Sequence, residues 1–162
     1  MYLIKSKQLV FLFSWCAALI AAIPTAHAAL GETPLRAGQS AQADARIAVF
    51  GVGKAGLGYT VYSSEFNNGT VVQEYVDRSG TVFALRWSGP EMPDLAVLLG
   101  NYLPVFNAAI QASKAAGKRG GPVMVQSNGL VLSSNGRMQA FTGYAYLERL
   151  VPAGLDLQAL LR

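Results

Sequence analysis

Apolar and polar side chains alternate with a period of two over residues 59–87, which is the pattern of β-strands. Two turn sequences divide this stretch into three short strands. Asn68-Gly69 is the dipeptide of a two-residue type I′ hairpin, and residues 77–80, with Asp first and Gly last, suit a type I turn closed by a glycine bulge. The pattern therefore predicts a three-stranded β-meander over about 59–87.

These turns also predict a register, because loop length decides which residues face each other. They place Phe66 opposite Val71 and Tyr75 opposite Phe83, so that one face of the meander is aromatic and must be covered. The predicted aromatic face consists of Tyr62, Phe66, Val71, Tyr75, Phe83, Leu85 and Trp87. The opposite face is mixed and is predicted to tolerate water; it carries Val61, Glu65, Val72, Glu74, Val76, Val82 and Arg86.

A helical pattern follows the first meander, with apolar residues at spacings of three and four. Pro93 and Asp94 suit its N-terminus. Gly100 and Pro104 interrupt the apolar stripe, and a proline inside a helix clashes with the carbonyl four residues earlier. We therefore expect a kinked central helix over about 93–115, in two pieces, packed against the aromatic face.

The period-two alternation returns in a second meander over about 123–147. Asn128-Gly129 and Asn135-Gly136 are hairpin dipeptides that would join its three strands. The predicted strands are 123–127, 130–134 and 137–147. Two three-stranded meanders and one helix predict an α+β fold with an antiparallel sheet, and they leave open whether the meanders form one sheet or two.

The first 28 residues have the pattern of a secretory signal peptide. Two lysines precede an apolar run over residues 9–23, and Ala26-His27-Ala28 is a small-x-small cleavage site. A membrane-spanning helix is the alternative, but such a helix needs about 20 apolar residues and this run is shorter. We expect cleavage between Ala28 and Ala29, a periplasmic or secreted location, and no membrane anchor after cleavage.

The expected mature chain is long enough for one domain with one core. Residues 29–46 contain few large apolar side chains and predict a loosely ordered lead segment. Residues 47–162 are predicted to form the single α+β domain. Near its end, Asp156 can cap a short helical turn.

The side chains that most often carry chemistry are scarce. The only His is His27 and the only Cys is Cys16, and both lie in the expected signal peptide. The expected mature chain therefore offers no disulfide, no imidazole or thiolate metal ligand, and no Ser-His or Cys-His pair. We predict no catalytic residue, no metal site and no cofactor.

The charge of the chain gives no argument for nucleic acid. The full sequence has 13 Lys and Arg against 9 Asp and Glu. Removal of the two lysines of the expected signal peptide leaves 11 basic residues, a net charge of +2. A nearly balanced domain of this kind lacks the basic footprint of a nucleic-acid-binding protein.

A glycine run before the first meander imitates a dinucleotide-binding motif. Gly51, Gly53 and Gly56 spell G-x-G-x-x-G. Such a site needs a helix that begins at the third glycine and points its N-terminus at the phosphates. Because the residues that follow are strand-like, we interpret the run as a flexible link or a strand bend.

Several motifs, in matching order from about Tyr59 to Gly154, resemble one protein family. The motifs are residues 69–76 (GTVVQEYV), 82–90 (VFALRWSGP), 92–95 (MPDL), 98–102 (LLGNY) and 137–147 (RMQAFTGYAYL). The family comprises exported proteobacterial proteins known only as a domain of unknown function. The resemblance implies a periplasmic or secreted setting and brings no reaction or catalytic residues with it.

Three classes of function fit these expectations. The favoured one is a non-catalytic exported module that binds an unknown protein or cell-envelope partner through sheet edges and the uncharged outer side of the helix. The alternative is a carrier of a small apolar ligand held between helix and sheet. Its possible ligand or core face is Tyr62, Tyr75, Phe83, Trp87, Leu98 and Tyr102. A carboxylate hydrolase is less favoured; its only candidate pair is Glu65 and Glu74, taken to face the same way on adjacent strands.

Overall fold

The computed structural model of the protein describes residues 30–34, 46–52, 58–118 and 121–161, with backbone alone for 46–52. Its strands are β1 (Arg46–Val52), β2 (Thr60–Glu65), β3 (Val71–Val76), β4 (Val82–Gly89), β5 (Val123–Ser127), β6 (Leu130–Arg137) and β7 (Ala140–Leu147). Its helices are α1 (Leu95–Leu99), α2 (Leu103–Ala115) and α3 (Leu157–Leu161), with 3-10 turns at Gly100–Tyr102 and Glu148–Leu150.

The described strands form one antiparallel sheet in the order β1-β2-β3-β4-β7-β6-β5. Both predicted meanders are present, which confirms the α+β class. They join into a single sheet because β4, the last strand of the first meander, pairs with β7, the last strand of the second.

The central helix is kinked as the sequence predicts. Asp94 caps α1, since its Oδ1 accepts hydrogen bonds from the backbone N–H groups of Ala96 at 2.9 Å and Val97 at 3.3 Å. α1 ends at Gly100, where φ is +48°. Pro104 lies in the first turn of α2, where a missing N–H breaks no helical hydrogen bond. The kink therefore lies at the 3-10 turn between the two helices.

α1 and α2 cover one face of the sheet, here called the helix side. By length and composition alone, Leu95–Ala115 could also cross a membrane, but its apolar stripe packs on the sheet. The buried side chains between the helices and the sheet form the main core. They are Leu30, Val72, Val76, Val82, Leu85, Trp87, Leu98, Leu99, Phe106, Val125, Leu130, Leu132, Ala145 and Leu147.

The opposite face, here called the second face, is partly covered by the C-terminal segment, residues 150–161. Tyr75, Phe83, Ala84 and Leu161 are buried in a smaller core there. Asp156 caps α3 as expected, because its Oδ1 accepts from the backbone N–H groups of residues 158 and 159. The sheet therefore has apolar packing on both faces, and the predicted single covered face is wrong.

The first cause of the error in the predicted faces is the loop between β2 and β3. The backbone N–H of Phe66 donates to the carbonyl of Thr70 at 2.9 Å, and that of Gly69 donates to the carbonyl of Phe66 at 2.8 Å. In this loop only Gly69 has a positive φ, at +80°, whereas a type I′ turn would also need one at Asn68. The loop thus has three residues instead of two. Phe66 does not face Val71, and this one-residue slip places the side chains of β3 on the opposite side of the sheet from the one predicted relative to β2.

The second cause of the error in the predicted faces is a β-bulge in β4. Tyr75 lies opposite Ala84 and Val76 lies opposite Val82, so Phe83 is the extra residue and is not the partner of Tyr75. The bulge interrupts the alternation of β4. Leu85 and Trp87 lie on the helix side, whereas Phe83 lies on the second face.

The predicted mixed, water-tolerant face is wrong for the same reasons. Val72, Val76 and Val82 are at most 3% exposed on the helix side, and Glu74 is 1% exposed. The other three members of that set lie on the second face, where Val61 and Arg86 are half-buried and Glu65 is exposed.

The second meander has one turn as predicted and one turn displaced. Asn128 and Gly129 both have positive φ, at +51° and +74°, which confirms the two-residue hairpin. Asn135-Gly136 is not a turn, because β6 continues to Arg137 and the chain reverses two residues later. Gly136 instead leaves room for the ring of Phe141, which an added Cβ would meet at 2.7 Å.

The lead segment is anchored where it is described. Leu30 is buried, and its backbone N–H donates to the carbonyl of Leu98 at 2.9 Å. Gly31 donates to the carbonyl of Val82 at 2.8 Å, and Val82 donates back to Glu32 at 2.8 Å. These three hydrogen bonds connect residues 30–32 to α1 and β4.

Other expectations fall outside the described residues. These are the signal peptide, residues 35–45 of the lead segment, and two glycines of the G-x-G-x-x-G run, Gly53 and Gly56. Gly51 lies in β1, so the first glycine of that run belongs to a strand.

Candidate functional site

The candidate hydrolase pair does not exist as a pair. Glu65 lies opposite Val71 and is exposed, whereas Glu74 lies opposite Tyr62 and is buried. Because neighbouring positions along a strand point to opposite faces, the two carboxylates lie on different sides of the sheet. They cannot act together on one substrate, and the expectation that they face the same way is wrong.

The six residues of the predicted ligand or core face are divided between two cores. Trp87 and Leu98 are buried on the helix side, with Tyr62 and Tyr102 packed at the margin. Tyr75 and Phe83 are buried on the second face. They do not line one space, and the near-complete burial of Trp87 and Leu98, at 1% and 2% exposure, favours packed core over a ligand site.

Trp87 nevertheless has an unusual feature. Its Nε1 is buried and has no hydrogen-bond partner among the described residues. An unpartnered buried N–H costs about 1 to 3 kcal/mol. The packing of the indole in the helix-side core must outweigh that cost.

Six polar side chains lie together on the part of the second face next to α3. They form two rows across β4, β7 and β6, since residues directly opposite each other in a ladder are neighbours. Read from β4 to β6, the rows are Arg86, Tyr144, Ser133 and Ser88, Thr142, Asn135. Each strand contributes two residues spaced by two, so all six side chains point to the same side.

A groove of about 400 Å³ lies over these rows. All six polar residues line it, and Leu161 of α3 and Pro122 before β5 add apolar walls. Trp87 and Gly143 complete the lining. The volume lies within the range of about 300 to 1,000 Å³ that is usual for small-molecule sites, towards its lower end.

Arg86 is the only charged residue among the described residues that line this groove, and none of those residues is Asp or Glu. The Tyr75 hydroxyl lies nearby. Burial raises the pKa of Tyr75, and the positive charge of Arg86 opposes that rise. The same hydroxyl lies 3.4 Å from Gln73 Oε1 and 3.4 Å from the carbonyl of Leu160. Tyr75 therefore links Arg86 to the C-terminal segment, which borders the groove.

Tyr144 occupies the centre of the first row. Its ring is half-buried and stacks on that of Tyr146, with centroids 6.3 Å apart and planes 18° apart. Burial raises the pKa of Tyr146, and the nearby Glu148 and Tyr144 add to the rise. The stacked partner restrains the Tyr144 ring, so the groove has an aromatic surface of defined orientation.

A second cavity, of about 440 Å³, lies at the turn between β3 and β4. It is lined by Gly58, Asp77, Arg78, Ser79, Leu150, Pro152 and Ala153. The carboxylate of Asp77 belongs to the turn, because its Oδ1 accepts from the Ser79 backbone at 2.8 Å, from the Ser79 hydroxyl at 2.6 Å and from the Thr81 backbone at 2.9 Å.

The pKa of Asp77 agrees with this structural role. Burial acts to raise it, but the hydrogen bonds from Ser79, Thr81 and Gly80 together hold it below its ordinary value. A carboxylate stabilised in this way is a poor base. The second cavity is therefore the weaker candidate.

No group of three or more His, Cys, Asp or Glu side chains in the described part of the chain could hold a metal ion. The strongest candidate site is the polar groove, and the sequence analysis missed it as a site. The sequence does contain a pattern that could have indicated this groove, namely polar residues spaced by two on three predicted strands. What the sequence did not show is the order β4-β7-β6, which places those strands side by side.

Comparison with known proteins finds one family. A family described as "Protein of unknown function (DUF2844)" matches residues 26–160. No curated protein matches the chain. No solved structure matches it either.

Proposed function

The chain belongs to the DUF2844 family of proteins of unknown function, and we propose that it is a non-catalytic, exported binding module whose ligand site is the groove beside Arg86. The observation that carries this proposal is the presence of six polar side chains in two ladder rows, with a single guanidinium among them and no Asp or Glu among the described lining residues. The ligand is a small polar compound or the end of a cell-envelope polymer.

Accessibility supports binding at this place. Ser88, Asn135 and Thr142 are exposed, while Arg86 and Tyr144 are half-buried. Groups of this kind can exchange water for a ligand without unfolding the chain. The three strands that carry them lie inside the sheet, so the positions of the side chains are held by paired backbone.

The lining residues are also the reason why we propose a non-catalytic function. Ser88, Ser133 and Thr142 offer hydroxyls, but a hydroxyl is a weak nucleophile unless a base activates it. No His, Asp or Glu is among the lining residues that the structure describes. The groove can therefore hold a polar ligand by hydrogen bonds and charge, and it lacks the acid and base that hydrolysis requires.

Export is proposed from the N-terminal pattern, a basic start, an apolar run and a small-x-small site. Cleavage between Ala28 and Ala29 would keep Leu30 in the chain. The contacts that Leu30 and Gly31 make with Leu98 and Val82 would then remain in the mature protein.

Native mass spectrometry of protein purified from its own host's exported fraction tests the proposed site. We expect a non-covalent small-molecule adduct that is lost in Arg86→Gln and retained in Lys114→Gln, which removes the same charge from an exposed position on α2. An adduct equally retained in both variants, or equally lost from both, would place the ligand elsewhere. Circular dichroism spectra that overlay those of the wild type would show that each variant is folded.

A further inference from the structure

We infer that the groove is built for an acidic saccharide, a hydroxylated ring that carries one carboxylate. This inference rests on the proposed binding function and names the ligand class of the same groove. It follows from three properties of the lining: its charge, its hydrogen-bonding groups and its aromatic surface.

The charge favours a carboxylate. Among the described residues of the lining, Arg86 is the only charged side chain. A guanidinium presents a planar fork of N–H donors that pairs with a carboxylate through two parallel hydrogen bonds. A phosphate monoester carries about −1.5 to −2 charges at neutral pH, more than one guanidinium neutralises. A single carboxylate matches a single Arg86.

The remaining polar groups favour a ligand with several hydroxyls. Ser88, Ser133 and Thr142 each offer a hydroxyl that both donates and accepts, and Asn135 offers an amide that does both. Sugar hydroxyls also donate and accept, so the two sets can pair in either direction. An apolar acid such as a fatty acid would cover these groups without satisfying them, and that costs affinity.

Tyr144 supplies the third property. It lies between Arg86 and Ser133 in the first row, and its ring is restrained by stacking on Tyr146. An aromatic ring with a polar tip suits a ligand that has one apolar face and polar edges. The C–H face of a pyranose ring has that character, and its hydroxyls would point towards the neighbouring side chains.

Isothermal titration of the exported protein with galacturonic acid and with its methyl ester tests this inference. The two probes share the ring and its hydroxyls, and they differ in whether the carboxyl group is charged. We expect the acid to bind at least about tenfold more tightly than the ester, because a hydrogen bond to a charged group is stronger than one to a neutral group. Inorganic phosphate should bind more weakly than the acid.

Variants assign that difference to particular side chains. Arg86→Gln should bring the acid down to the affinity of the ester, and Arg86→Lys should restore part of the loss because it keeps the charge without the fork. Tyr144→Leu should weaken acid and ester by a similar factor, since the aromatic surface does not depend on charge. Lys114→Gln is the matched charge control and should leave both affinities unchanged.

The outcomes separate this inference from the proposed function. Equal binding of acid and ester, tighter binding of phosphate, or an equal loss in Arg86→Gln and Lys114→Gln would overturn the acidic-saccharide assignment. If neither saccharide binds but the native adduct still depends on Arg86, the groove is a binding site and the ligand class is wrong. If the native adduct is also independent of Arg86, the proposed function itself fails.

Discussion

The close contact between Gly143 and Trp87 gives the sharpest structural prediction. Gly143 lies on β7 directly opposite Trp87 on β4. A Cβ at position 143 would overlap two atoms of the Trp87 indole and would lie 2.6 Å from the carbonyl oxygen of Ser133. Neither neighbour can retreat easily, because Trp87 is 1% exposed and the Ser133 carbonyl belongs to the β6 backbone. Gly143→Ala therefore overpacks the centre of the sheet.

Two opposing effects set the magnitude of this change. Replacing a strand glycine by alanine normally stabilises by about 0.5 to 1 kcal/mol, because the unfolded chain has less conformational freedom to lose. Overpacking a well-packed interior costs about 1 to 3 kcal/mol and sometimes more. Since the added atom meets both a buried ring and a backbone oxygen, we expect Gly143→Ala to lower the free energy of unfolding by about 2 kcal/mol.

Urea unfolding followed by far-ultraviolet circular dichroism measures this loss. Gly136→Ala is the control, because its Cβ would meet only the ring of Phe141, which is partly exposed and can turn aside. A double-mutant cycle of Gly143→Ala with Trp87→Leu should show coupling of about 1 kcal/mol or more, since the smaller side chain relieves the overlap. A neutral Gly143→Ala, a loss no larger than that of Gly136→Ala, or strict additivity with Trp87→Leu would refute the reasoning.

Three further predictions concern other parts of the molecule. Val72→Ala should lower the free energy of unfolding by about 2 kcal/mol and Phe83→Ala by about 3 to 5 kcal/mol, because these side chains are fully buried on opposite faces of the sheet. Urea unfolding measures both losses, and a negligible loss from Val72→Ala would show that its face of the sheet is exposed to water. Asp77→Asn should be less stable than the wild type at pH 7, and the difference in stability should shrink as the pH falls below about 4. The reason is that the folded-state pKa of Asp77 lies below its unfolded value of about 3.9, so the stability that its carboxylate contributes is lost on acidification. Urea unfolding at pH 7 and pH 3 tests this, and a difference that is constant with pH would contradict it. The exported protein should begin at Ala29 in N-terminal sequencing, and a retained Met1 would contradict this. Leu30→Ala should lower its free energy of unfolding in urea by about 2 to 5 kcal/mol, because Leu30 is buried in the core. An unchanged stability would contradict this second expectation.

The turns show how much of the fold can be predicted from local sequence. Asn128-Gly129 forms the hairpin that its dipeptide predicts, with both residues at positive φ. Asn68-Gly69 has the same dipeptide and adopts a longer loop, in which Asn68 Oδ1 accepts from the Thr70 backbone and its amide donates to Glu91. Glu91 lies beyond the next two strands, β3 and β4, so a contact distant in sequence helps to select the loop.

That single loop had large consequences for the predicted faces. A slip of one residue moves every side chain of a strand to the other side of the sheet. The bulge at Phe83 added a second change within β4. The strands themselves were therefore predictable, whereas the partners of Tyr75 and Trp87 across the sheet were not.

The candidate site depends even more on distant pairing. The sequence shows Arg86 and Ser88 on one strand and Thr142 and Tyr144 on another, each pair spaced by two. Nothing local indicates that these strands are neighbours. Only the pairing of β4 with β7 places Arg86 opposite Tyr144 and makes one groove out of separate polar pairs.

The sequence by itself determined the number and kind of the predicted meander strands and central helix pieces, because alternation, helical spacing and capping residues such as Asp94 act over a few neighbouring positions. The tertiary structure decided the order of the strands, the register at Gly69 and the coverage of the second face by the C-terminal segment. Those choices depend on which apolar surfaces can be buried together, and that free energy belongs to contacts between residues far apart in the chain. The proposed groove exists only at that level, because its two ladder rows are assembled from three strands.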